Sequence, residues 1–241
     1  MIKMFKLFIC ILTILFPNMV KIFILNRMPG YKVSYTCHVG LSLISVDNLI
    51  MKDCSRIGHF NIIKNVQHFN MDEYAIIHNF NRIKSFLGMY MGRNSKLGSH
   101  NNISGDSQYT KGDSNFKIGE LTTVTTHHIF DMTGSIIIGK NSVLAGIYTQ
   151  LYTHSFDLNR DRIERDIIIG DNCYIGSNSI ILANITSNVL IGAGSTVYNN
   201  ISEGGLWSSH KLVRIGDVIP IKERQNLASY GKAGFIFHML K

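Results

Sequence analysis

The sequence predicts an all-β fold: a parallel β-helix over about residues 40–205, preceded by N-terminal helical structure and followed by a short C-terminal helix. Two observations carry this expectation. An aliphatic residue followed by glycine recurs along the chain, at Ile57-Gly58, Leu97-Gly98, Ile118-Gly119, Ile138-Gly139, Ile169-Gly170, Ile175-Gly176 and Ile191-Gly192. Aliphatic residues also return every sixth position, most cleanly at Ile169, Ile175 and Ile181 and, after a shift of phase, at Ile185, Ile191 and Val197. A period of six matches neither an amphipathic helix, at about 3.6, nor an alternating half-buried strand. An internal repeat of this kind sets the whole fold.

The physical reading is a prism whose every face is one short strand. The aliphatic residue points into a shared core, and Gly, Asn, Asp and Ser turn the corners, where unusual backbone angles cost them little. Before residue 95 the repeat is ragged, and Met51 to Met91, richer in Phe, Tyr and His, is expected to form irregular early coils. Tyr152 to Asp166, rich in Asp and Arg, interrupts the period and reads as a loop thrown out from one corner. Beyond Gly204-Gly205 the period fades, and Pro220 opens a C-terminal helix. The expected organisation is a basic apolar segment over 1–40, a β-helical domain over 41–215 and a helical tail over 216–241.

Composition narrows the class. Apolar residues make up 45% and charged residues 17% of the 241, too apolar for a disordered chain and too broken by Asn, Gly and Ser for a polytopic membrane protein. The net charge of +8 is polarised: Met1 to Val46 contains no Asp or Glu but carries Lys3, Lys6, Lys21, Arg27 and Lys32. That segment is strongly apolar, so an anionic membrane surface suits it better than nucleic acid. No basic stripe interleaved with aromatics supports nucleic-acid binding. Residues 1–28 read either as an interfacial helix pair with lysines outward, peripheral on the inner membrane, or as a helix packed on its own domain. Pro17, Asn18 and Lys21 interrupt any spanning run, and no small-x-small site follows for a signal peptide. Cys10, Cys37, Cys54 and Cys173 are scattered, which fits reduced thiols in the cytoplasm better than a disulfide framework or zinc knuckle.

The run IIIGKNSVLAGIYTQLYTHSF, then a charged loop, then IIIGDNCYIGSNSIIL and LIGAGSTV, resembles the hexapeptide-repeat acetyltransferases, in the branch that includes galactoside, maltose and polysaccharide O-acetyltransferases. The resemblance covers roughly residues 95–215. It implies a left-handed β-helix, a homotrimer with active sites between subunits, acetyl-CoA as co-substrate and a sugar or oligosaccharide hydroxyl as acceptor. In that family a His just before the external loop is the general base, and His154 falls at the matching place. An imidazole with an ordinary pKa of about 6.5 accepts a proton at cytosolic pH, and backbone N–H groups at the corners are the expected donors to the developing oxyanion.

His128 and Asp131, one coil earlier, are candidate substrate contacts, and a His–carboxylate contact here would orient an imidazole. For the CoA arm the resemblance implies Ser177, Ala193 and Gly194 at corners that let backbone amides approach, with Trp207, Lys211 and Arg214 toward the anionic ADP end. The family's usual small-Gly-x-Pro-Ala-Lys turn is replaced here by Trp207-Ser208-Ser209-His210-Lys211, without the proline. No metal ligand is assigned. Two alternatives remain: a metal-dependent enzyme of the γ-carbonic-anhydrase kind, drawing ligands from His127 and His128, and a non-catalytic β-helical module docking at the membrane.

Overall fold

The computed structural model describes residues 9, 11, 13, 16–105 and 113–209. The parallel β-helix expected from the sequence is borne out. Nine strands stack in parallel order on a first face, beginning with His38–Val39 and ending with Gly205–Trp207. A second and a third face share a 13-stranded sheet that folds around a corner. From Arg56 to Ile76 to Lys96 each turn advances 20 residues, and from Tyr174 to Leu190 to Leu206 it advances 16.

Stacking in register converts the aliphatic repeat into columns. Ile57, Ile77, Leu97, Val124, Leu144, Ile175 and Ile191 lie one above another on the first face and are fully or almost fully buried. Ile63, Ile83, Ile103, Phe130, Leu151 and Ile181 do the same on the second. Full burial of one such side chain is worth about 1.5–3 kcal/mol relative to exposure, so the columns carry the fold.

The coils over Met51 to Met91 are regular, contrary to the expectation of irregularity. Strands Ile62–Met71 and Arg82–Met91 pair in parallel along their whole length and bend at Asn65 and Ser85, both at positive φ. Each coil advances 20 residues here, two more than three six-residue faces, so the six-residue phase breaks while the coil stays intact. The opposite change explains the phase shift after Ile181. There the third face shrinks to the single bridges Ile169↔Ile185 and Ile185↔Ile201.

Corners fall at residues with positive φ: in one coil Phe60 follows the first face at the first corner, Asn65 follows the second face at the second, and Tyr74 follows the third face at the third. Behind the first corner runs a buried polar ladder. Backbone N–H groups of Asn81, Asn101 and His128 donate to the side-chain oxygens of Asn61, Asn81 and Asn101 (2.8–2.9 Å), and the Thr149 N–H donates to His128 Nδ1 (3.1 Å). His128 Nε2 completes the rung against the Thr125 hydroxyl at 2.9 Å. Fully buried, His128 stands where the preceding coils use asparagine.

Burial pushes the His128 imidazole down to about 4. Between pH ~6.5 and ~4 the unfolded chain binds a proton that the folded chain does not, so stability falls as pH falls through that window. A shift of this size corresponds to about 3 kcal/mol. Chemical denaturation at pH 7 and pH 4.5 should show much of that loss in the parent, and the His128→Asn variant should lack this component.

The N-terminal helix α1 (Asn18–Leu25) caps the first coil. Ile22 and Leu25 are buried, and Asn18 brackets the strand below, donating to Cys37 O and accepting from Val39 N–H at 2.9 Å each. The expectation of outward lysines is corrected at Lys21: its ammonium is buried and donates to Val39 O (3.0 Å) and Gly40 O (2.8 Å). Met19, Val20 and Phe23 face outward instead, with the Arg27 guanidinium 4.8 Å over the Phe23 ring. Among the described residues no helix is long and apolar enough to cross a membrane, and Cys37, Cys54 and Cys173 are free thiols. The expected C-terminal helix lies outside the described residues.

Candidate active site

The second corner changes character in the sixth coil. After strand Gln150–Leu151 the chain leaves the prism as an antiparallel hairpin, His154–Phe156 with Arg162–Glu164, and rejoins it at Ile167–Ile169. This is the charged loop expected from Tyr152 to Asp166. Its first residue is His154, set directly above Asp131 of the coil before.

His154 Nδ1 lies 2.6 Å from Asp131 Oδ2, with the two side chains 32% and 15% exposed. Oδ2 also accepts the backbone N–H (3.1 Å) and hydroxyl (2.9 Å) of Thr153. The other carboxylate oxygen accepts the Thr133 hydroxyl (2.9 Å) and N–H (3.3 Å). Burial pushes the Asp131 carboxyl up, but hydrogen bonds from His154, Thr153 and Thr133 outweigh it and hold the group below the usual carboxylate range. A carboxylate so fixed selects the Nδ1–H tautomer of its imidazole, which leaves Nε2 as the basic atom.

Asp131 thus makes the His–carboxylate contact considered from the sequence and holds the His154 ring in place, while part of its side chain stays exposed. The assignment of His128 as a substrate contact is corrected. Its side chain is buried in the core with both ring nitrogens engaged, so it neither touches an acceptor nor offers a lone pair to a metal. His127 sits on the outer side of the same corner, stacked on His100. Among the described residues no group of three or more His, Cys, Asp or Glu is placed to hold a metal ion.

Sequence reasoning missed the groups that clamp this dyad. The Arg162 guanidinium donates from Nη2 to Thr133 Oγ1 (2.8 Å) and pairs through Nε with Glu164 (3.3 Å), while Glu164 is the strand partner of His154. Arg165 donates to Ser155 Oγ at 2.8 Å. The only signal for these was the density of charge in the loop.

Ser177, Ala193 and Gly194 stand elsewhere. They turn the first corner in the next two coils, with Gly194 at a φ of 71°. Gly146, one coil below at a φ of 68°, lies so close that a Cβ would collide with the Ser177 hydroxyl. Trp207 follows on the last strand of the first face. One full prism face, carrying Gln150–Leu151 and Ile180–Ile181, separates this group from His154. A face of about five residues spans roughly 16 Å, far beyond hydrogen-bond reach. Lys211 and Arg214 lie outside the described residues.

Residues 166–199 match the family model for the hexapeptide repeat of succinyl-transferase. That segment of the chain carries the hexapeptide repeat. No curated protein matches the chain. Among solved structures, a maltose O-acetyltransferase from Clostridium difficile 630 is 27% identical over 49% of this chain, with a TM-score of 0.36, and the match spans 60% of that enzyme's length. A polysialic acid O-acetyltransferase is 18% identical (83% of this chain, 94% of that one, TM-score 0.44). A UDP-N-acetylglucosamine acyltransferase from Campylobacter jejuni is 14% identical (85% and 80%, TM-score 0.43).

Proposed function

We propose that the chain is an O-acyltransferase that moves an acetyl group from acetyl-CoA to a hydroxyl of a sugar, in the synthesis of a surface polysaccharide or lipopolysaccharide. The observation that carries this reading is the Asp131–His154 pair at the base of the hairpin, which leads directly into the segment that bears the hexapeptide repeat. His154 Nε2 takes the proton from the acceptor hydroxyl as its oxygen attacks the thioester carbonyl. The carbon–sulfur bond then breaks, and the imidazolium returns the proton to the CoA thiolate. Asp131 holds the ring in the required tautomer and stabilises its charged form.

The donor cradle of this reading is Ser177, Ala193, Gly194 and Trp207, with Lys211 and Arg214 toward the ADP end. Since that cradle lies a face away from His154 on the same chain, the reading pairs each His154 with the cradle of another copy, in a homotrimer. The outward apolar residues of α1, with Arg27 beside them, support docking on the cytoplasmic side of an anionic membrane. The test is a thiol-release assay. Free CoA should form from acetyl-CoA only when an oligosaccharide acceptor is added, and saturable acetyl-CoA binding without any acceptor-dependent release would contradict the reading.

A further inference from the structure

The hairpin that begins at His154 has two faces, and its register sorts the side chains between them. Antiparallel pairing sets His154 opposite Glu164, Ser155 opposite Ile163 and Phe156 opposite Arg162. Opposed residues share a face and neighbours along a strand alternate. His154, Phe156, Arg162 and Glu164 therefore lie on one face, Ser155 and Ile163 on the other. On the first face the Phe156 ring stands 6.1 Å from the His154 ring, centroid to centroid, and at 89° to it. Phe156 is 65% exposed. A single exposed phenylalanine is ordinary on a protein surface. This one forms a wall beside the imidazole that Asp131 orients, and its ring forgoes the burial that draws aromatic side chains inward.

We propose that Phe156 is the platform of an acceptor subsite that takes a neutral pyranose, an uncharged sugar ring that lays its C–H face on the phenyl ring and turns one hydroxyl toward His154. Geometry and charge select this occupant. A pyranose stacked on Phe156 at van der Waals spacing, about 3.5–4.0 Å, carries its hydroxyls around the rim, and the perpendicular imidazole stands at that rim. Between residues 154 and 166 the chain carries Asp157, Asp161, Glu164 and Asp166 against Arg160, Arg162 and Arg165, with Asp131 behind His154. The surroundings are net negative. Two of the three guanidinium groups are engaged inside the site: Arg162 with Thr133 and Glu164, and Arg165 with Ser155 Oγ (2.8 Å) and Leu182 O (3.3 Å). A carboxylate on the acceptor therefore meets more like charge than counter-charge, and like-charge juxtaposition disfavours an acidic sugar. The same balance disfavours an anionic membrane at the tip, where Asp157 and Asp161 bracket the exposed Leu158.

The subsite rests on the proposed function only for the transfer step, so sugar binding is measured apart from turnover. Saturation-transfer NMR of the full chain, without acetyl-CoA, is run on methyl β-glucoside and methyl β-galactoside, each beside its uronic acid, which differs only by a carboxylate at C6. The parent should bind at least one neutral glycoside about tenfold more tightly than the matching uronic acid. Phe156→Ala should weaken that binding about tenfold, the scale of one lost ring contact, and Phe156→Trp should restore it. Ile163→Ala, on the opposite face, should leave it within about twofold of the parent. In the thiol-release assay Phe156→Ala should raise the acceptor KM about tenfold with kcat within about threefold, as loss of a contact made equally in ground and transition states requires. No binding of either neutral glycoside, tighter binding of a uronic acid, parent-like binding by Phe156→Ala, or an equal loss in Ile163→Ala would each overturn the subsite. Protection of Phe156 from hydroxyl radicals before any sugar is added would also overturn it, by giving the face to a second copy, and so would protection by anionic vesicles alone. Phe156-dependent binding of a neutral glycoside without thiol release would leave the subsite standing and remove the acyltransferase reading. Acceptor-dependent thiol release unaltered by Phe156→Ala would do the reverse.

Discussion

Replacing His154 by alanine should lower kcat by about 10²- to 10⁴-fold, the usual contribution of a general base, and leave acetyl-CoA affinity within about twofold of the parent. The two halves of this result have separate causes. His154 sits on the second corner with its Nδ1 held by Asp131, and none of the cradle residues Ser177, Ala193 and Gly194 shares that corner. Losing the imidazole therefore removes a contact made in the transition state and leaves the donor site untouched, which appears in kcat and not in KM. Steady-state kinetics with calorimetric titration of acetyl-CoA checks both. A variant within about threefold of the parent across the pH range would place the base elsewhere.

Asp131→Asn should cost nearly as much through a different route. An asparagine keeps the shape of the side chain but can turn its NH₂ toward His154 Nδ1, which favours the Nε2–H tautomer and puts a proton where the base must be. Its neighbours oppose this arrangement, because Thr133 and Thr153 both donate toward the same group. Asp131→Asn should therefore lower kcat about 10²- to 10⁴-fold and distort the acid limb of the pH–rate profile. It should also lower stability above the ordinary carboxylate range, since a carboxylate with a depressed pKa stabilises the fold there and loses that contribution as pH falls through its folded value. A purely structural role would lower stability without altering the pH profile of the remaining activity.

The core was the legible part of the sequence. An isoleucine column demands an aliphatic residue at a fixed place in every coil, and the Ile-Gly pairs record that demand directly. The early coils were harder to read because each advances 20 residues, two more than three six-residue faces. The recurrence there is at 20: Asn61, Asn81, Asn101 and, on the outside, Phe60, Phe80, His100.

At the site, His154 was found through its motif, but the roles of its neighbours depend on which way side chains point. His127 and His128 are adjacent and identical in type, yet one lies on the outer side of the corner and the other is sealed in the polar ladder. Asp131 and Thr153 lie 22 residues apart and meet only because coils stack. Lys21 likewise reads as a surface charge until the open end of the first coil presents two carbonyls to it.

The most direct test of the account is the chemical identity of the product. The parent and His154→Ala should be incubated with acetyl-CoA and a hydroxyl-bearing oligosaccharide, and the acceptor analysed by mass spectrometry before and after mild alkali. The account expects an added acetyl group in the parent reaction that alkali removes, as an ester requires, and almost none with His154→Ala at equal acetyl-CoA occupancy. An alkali-stable acetyl group, acetate released to water with the acceptor unchanged, or equal product from both proteins would contradict it.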